Sequence, residues 1–162
     1  MSGMRIIEHW ARGVGFSATA LCAVALLVAC DEAQNLARAE QLWRSTVPEN
    51  YVFVYERSCN CLAVDGQQVR VVVRDDEVVS ARFAGGVEAP ERRWITVDDL
   101  FAELRTALAA KPDAFTAKYD PVWGYPQSVF IDRYAGAADD EIAFSVTCLA
   151  PLAAASDACP LP

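Results

Sequence analysis

Tyr51-Val52-Phe53-Val54-Tyr55 is the stretch from which the fold can be read. Aromatic and β-branched residues dominate it, and they suit a pleated strand far better than a helix. Alternation puts Tyr51, Phe53 and Tyr55 on one face and Val52 and Val54 on the other. The strand runs on into Arg57-Ser58-Cys59-Asn60-Cys61. Two further strands, over 69–74 and 78–83, flank Asp75-Asp76, the short polar break expected of a tight hairpin. Asp76 lacks the freedom of glycine at positive φ, which leaves the turn type open. Residues 85–93, with two glycines, a proline and four charges, read as a loop.

Upstream, 31–44 has helical composition. Leu36, Ala39, Leu42 and Trp43 can share a face, Asp31 and Glu32 suit a helix N-terminus, and Pro48 ends the run. Downstream, Thr96 caps a second helix with Asp99 at the third helical position, and Ile95 can staple to Leu100. Leu100, Phe101, Leu104, Ala107 and Leu108 form its stripe, Lys111 suits its C-terminal dipole, and Pro112 stops it. Strands follow over 115–119, 128–134 and 141–149, with a breaker-rich turn at 120–126. The order is helix then three strands, given twice, and Asp75-Asp76-Glu77 and Asp139-Asp140-Glu141 each lead into a last strand. These patterns predict an α+β fold: a mostly antiparallel sheet with two helices on one face, its element order compatible with a duplicated helix plus three-strand unit.

The N-terminal part carries a different message. Arg5 and Arg12, the apolar run 14–28 and small residues before Cys30 follow the three-part plan of an export signal. Leu27-Val28-Ala29-Cys30 resembles a bacterial lipobox, with Cys30 the thiol that receives diacylglycerol. The expected organisation is a lipoprotein signal peptide at 1–29 and one lipid-anchored globular domain at 30–162, exported and facing the periplasm or cell exterior. An uncleaved membrane helix competes, but the run is shorter than the roughly 20 residues a bilayer span needs. Plain secretion is the other alternative.

Cleavage leaves 133 residues. Basic residues fall from 14 to 12 and acidic ones from 22 to 21, a net charge of −9. Such a body has no electrostatic affinity for phosphate backbones, so nucleic acid is not expected as a partner. His9, the sole histidine, is removed with the signal. A chain without histidine cannot run a Ser-His-Asp or Cys-His nucleophile or build a His-rich zinc site, and no phosphate-binding loop or nucleophile elbow is present. No cofactor is expected.

Tyr51-Val52-Phe53-Val54-Tyr55 with Cys59-x-Cys61, the strand at 69–75, Thr96-Val97-Asp98-Asp99-Leu100-Phe101, Tyr119-Asp120-Pro121 with Gly124-Tyr125-Pro126, Ile131-Asp132 and Asp139-Asp140-Glu141 together resemble a family of bacterial lipoproteins catalogued as a domain of unknown function, number 6174. The departures are Asp76, where the family's turn glycine is expected, and the additional Cys148 and Cys159. The resemblance implies export and a single domain. It brings no activity.

Four thiols remain beside Cys30, an even number that reads as disulfides in an exported chain. Three pairings are open to them; the first choice joins Cys148, placed with Ile142, Phe144 and Val146 on the apolar face of the last strand, to Cys159, leaving Cys59 and Cys61 to each other. A strained Cys-x-Cys bridge is a redox centre or, more simply, a staple. Asp120, Asp132, Asp139, Asp140 and Glu141 are the densest carboxylates: a calcium site, an acid/base pair or a solvated acidic hairpin. Trp123 and Tyr125 form a partner-binding knob or cap the core edge. The favoured function is a non-catalytic envelope lipoprotein, held to the membrane by its lipid, that binds or supports another envelope component. The alternatives are a carboxylate-dependent enzyme or calcium-binding protein, and a protein inhibitor presenting the aromatic turn.

Overall fold

A computed structural model describes residues 18–59, 66–90, 94–137, 139–152 and 159–161, with side chains from Asp31 onward except that of Cys59. Helix α1 (Ala18–Thr46) leads into β1 (Asn50–Cys59), β2 (Val69–Arg74) and β3 (Glu77–Arg82); helix α2 (Val97–Ala109) leads into β4 (Ala114–Tyr119), β5 (Pro126–Asp132) and β6 (Ile142–Pro151). The six strands form one antiparallel sheet in the order β3-β2-β1-β6-β5-β4. Both helices lie on the same face and share one core with it, built around Trp43, Tyr51, Phe53, Phe101 and Ile131. This is the α+β architecture expected.

The pattern in β1 places its side chains as read: Tyr51, Phe53 and Tyr55 enter the core under the helices, and Val52 and Val54 face the other way. Trp43 meets Tyr51 edge to face, with ring centroids 5.3 Å apart. Polar groups at this junction are matched. The backbone N–H of Val97 donates to Tyr51 Oη at 3.2 Å, and Trp43 Nε1 donates to Asp98 at 3.2 Å. Tyr51 therefore satisfies one of the N–H groups left over at the start of α2, while Thr96 and Asp99 close a reciprocal capping box beside it. Arg57 holds the far end of β1 to α2 by a two-pronged pair with Glu103, at 2.8 and 3.0 Å.

Several boundaries differ from the sequence expectation. Helix α1 is continuous from Ala18 and passes through position 30 without a break, ending at Thr46. Strand β5 begins at Pro126 and ends at Asp132, so Tyr134 is not in it, and β6 runs to Pro151. Within the loop expected at 85–93, Ala84–Gly86 form a 3-10 turn, and Glu88 pairs antiparallel with Arg82. Among the described residues no helix is long and apolar enough to cross a membrane.

The helix-then-three-strands order occurs twice, and the halves join through β1 and β6. Each half lies in the same left-to-right order with its strands reversed in direction. A rotation relating two such halves would carry one helix to the opposite face, yet both share a face. The repeat is therefore one of element order and not of rotational symmetry.

A bulge in the central ladder decides where Cys148 sits. Tyr55 pairs with Val146 but Val54 pairs with Cys148, so Thr147 is an extra residue. One extra residue moves everything beyond it to the other face. The expectation that Cys148 shares a face with Phe144 and Val146 is thereby corrected: those two enter the helix-covered core, and Cys148 lies behind the sheet beside Val52, Val54 and Ala150. There it is bonded to Cys159, with Cα atoms 5.5 Å apart, as the pairing predicted. Cys159 and Leu161 thus cover the back of β1 and β2.

Candidate functional site

The loop between β4 and β5 holds the most distinctive residues of the sequence, Tyr119 to Pro126. Asp120 organises it. One carboxylate oxygen accepts from the backbone N–H groups of Val122 at 2.9 Å and Trp123 at 2.7 Å, and the other accepts from Gln127 Nε2 at 3.0 Å. The Asp120 N–H donates to Tyr125 O, and its own carbonyl accepts from the Gly124 N–H, both at 2.9 Å. This is an aspartate-closed turn, in which the short side chain replaces a backbone acceptor.

The turn has a purpose beyond itself. Gly124 adopts φ +83°, and a Cβ placed on it would lie 2.4 Å from Ala39 O and 2.8 Å from the Trp43 nitrogen. Only glycine lets the loop come this close to the backbone of α1. Thr46 Oγ1 adds a hydrogen bond to Trp123 O at 3.2 Å. Tyr119 stacks on Phe101 of α2, with rings 4° from parallel. The loop therefore seats both helices on the sheet.

Trp123 and Tyr125 belong to that seating. Trp123 is half-buried against the core and Tyr125 is buried, its phenol pushed up in pKa by loss of solvent. The exposed tip is Val122, 66% accessible. Of the two readings for this aromatic pair, the geometry matches the core cap.

The carboxylates divide. Asp120 is engaged in its turn, away from the others. Asp132, Asp140 and Glu141 gather at the corner where β5 ends and β6 begins, and Asp113 joins them because Ala114 pairs with Asp132 across β4 and β5. Asp132 is raised above the usual carboxylate range, first by loss of solvent and then by Asp140, Glu141 and Asp113, against one N–H from Tyr134. Asp113 accepts from the Ala135 N–H at 2.7 Å. Asp132 Oδ1 and both Asp140 oxygens are shielded and have no hydrogen-bond partner among the described residues. Asp139 and Glu141 are exposed, and Asp139 has φ +77°, a turn residue. Among the described residues, no three His, Cys, Asp or Glu side chains are grouped to hold a metal ion. The sequence reading missed Asp113; the signal for it was its place just before a strand that pairs with β5.

Cys148 and Cys159 form the disulfide described above. Cys61 and the side chains of Cys59 and Cys30 lie outside the described residues.

No curated protein and no solved structure matches this chain. One family profile does, over residues 35–151, a span that begins just before Leu36, the first buried residue among the described side chains of α1, and ends with β6. It contains the helix-seating loop and all six strands, so the chain belongs to the Family of unknown function (DUF6174).

Proposed function

We propose that this is an exported envelope lipoprotein, anchored through Cys30, whose domain works without catalysis by binding or supporting another envelope component. The observation that carries the non-catalytic part is the fate of Asp120. One of the five carboxylates expected to serve in catalysis or ligation, it has both oxygens taken by protein donors, and the motif around it is spent on seating helices. The lipobox supports the anchor. Among the residues of α1 whose side chains are described, the buried ones begin at Leu36, so cleavage before Cys30 leaves that packing intact. The test is in cells. Wild type and Cys30→Ser are compared by fractionation and mass spectrometry, with crosslinking of the wild type to find the bound component. A Cys30→Ser chain that matures and stays membrane-bound like wild type defeats the anchor, and a wild type that crosslinks to no envelope component defeats the binding role.

A second reading, calcium bound at the corner of Asp132, Asp140 and Glu141, requires these side chains to close on the ion, because as they stand no three are grouped to hold one; in its favour are the three oxygens of Asp132 and Asp140 that lack a donor among the described residues. A cation bound only by the folded state raises its melting temperature by mass action. Calcium titration of thermal unfolding decides it; no shift at millimolar calcium removes this reading.

A further inference from the structure

Strand β3 ends the sheet on one side, and its outer rim is only half used. At its C-terminal end the chain's own next segment lies against it. The Phe83 N–H donates to Val87 O at 2.8 Å, the Ala89 N–H donates to Ala81 O at 2.9 Å, and Glu88 bridges antiparallel to Arg82. This is the beginning of a seventh strand, and Pro90, which has no N–H, follows it. Between the hairpin turn and Ser80 the rim has no backbone partner among the described residues.

A cleft of about 710 Å³ runs beside that open stretch, between β3 on one side and Trp94, Thr96 and Asp99 on the other. Its lining carries Asp76, Glu77, Glu88 and Asp99 against Arg82, the single cation among the described lining residues and already paired with Glu88 at 3.3 Å. Val79 stands out at the rim, 54% accessible, beside the register shift between β2 and β3.

We propose that the outer rim of β3 accepts an extended, lysine- or arginine-bearing segment of another protein as a seventh strand. The proposal rests on the binding role above and gives the bound component a chemistry and a place. A strand added about 4.8 Å from β3 takes up the open backbone groups by the ordinary ladder. Its alternate cationic side chains meet the acidic lining, one of them able to lie over the Trp94 ring, and an apolar residue between them meets Val79. A second copy of this chain is the wrong occupant. Two such rims would bring two acidic linings together, and an irregular, charged edge is the usual defence against edge-to-edge pairing.

The test uses the full chain in nonionic detergent and short blocked peptides alternating valine with lysine or valine with glutamate. The lysine peptide is expected to bind saturably and to slow amide exchange at residues 77–80, and the glutamate peptide to do neither. Reversing the charge with Glu77→Lys, or N-methylating alternate peptide amides, should each weaken binding about tenfold or more, the first through repulsion and the second through lost ladder bonds. Absence of binding by the lysine peptide, equal binding of both peptides, or indifference to either change overturns the proposal. An envelope component crosslinked elsewhere on the domain would sink this surface while leaving the binding role; no crosslinked component at all would sink that role itself.

Discussion

Gly124 shows how much a single missing Cβ can decide. Its φ of +83° lies in the region that costs other residues about 1–2 kcal/mol, and the added methyl would collide with Ala39 O and the Trp43 nitrogen, backbone atoms that cannot step aside. Overpacking of this kind costs a further 1–3 kcal/mol, roughly, so Gly124→Ala should lose about 2–5 kcal/mol in urea denaturation. A loss below about 0.5 kcal/mol, the level of an ordinary surface change, would mean that the loop does not seat α1. Asp132 makes a prediction of opposite sign. Its pKa is raised above 3.8 in the folded protein, so the folded state keeps a proton over a window where the unfolded chain has lost it. Stability therefore falls as pH rises through that window, and the penalty is absent below the unfolded value. Asp132→Asn should be more stable than wild type at neutral pH in the presence of a chelator, with the difference closing as pH falls toward 4. A difference that stays constant across that range would contradict the assignment. The glycine in this loop was visible in the sequence as part of a breaker-rich turn, but its partner was not, because contact with Ala39 spans the whole distance between α1 and the β4–β5 loop.

Elements whose signals are local were the most legible. The capping box of Thr96 and Asp99 starts α2 as its residues predict, and the valine-rich run 69–74 is β2 to the residue. The turn between β2 and β3 was left open by its sequence and is closed by its geometry. Arg74 pairs with Glu77, and Asp75 and Asp76 have φ of +49° and +63°, the pair of positive values that a two-residue type I′ turn demands. Aspartate tolerates this conformation but glycine is freer in it. Asp76→Gly should therefore stabilise the protein by roughly 0.5–1 kcal/mol in urea denaturation, without changing its circular dichroism. A destabilised variant would show that the Asp76 carboxylate makes a contact worth more than the backbone strain. The bulge at Thr147 was beyond reach, since nothing in 141–149 marks it. It exists because β6 must pair with β1 over ten residues while presenting Phe144 and Val146 to one face and Cys148 to the other.

At the scale of the molecule, element order was readable and strand order was not. Six antiparallel strands in two runs of three can be joined along several edges; the choice of β1 beside β6 buries Tyr51, Phe53 and Tyr55 at the centre, beneath both helices. That choice also brings the tail behind the sheet, where a smaller cluster of Val52, Val54 and Val72 is covered by Cys159 and Leu161. The disulfide from Cys148 to Cys159 closes a loop with a sequence separation of 11. On the chain-entropy account a loop of this length is worth about 3 kcal/mol. Cys159→Ser removes the bond and leaves a hydroxyl where a sulfur was buried, so the variant should lose about 3 kcal/mol in urea denaturation. Reduced wild type should lose a similar amount, because its tail is released without any polar substitution. Amide exchange separates the two ways this can happen. If the bond acts by holding the tail, exchange at Val52 and Val72 should quicken while that at Phe101 and Leu104, under the helices, keeps its rank. If Val52 and Val72 remain protected in the reduced protein, packing alone holds the tail and the bond is not what fastens it.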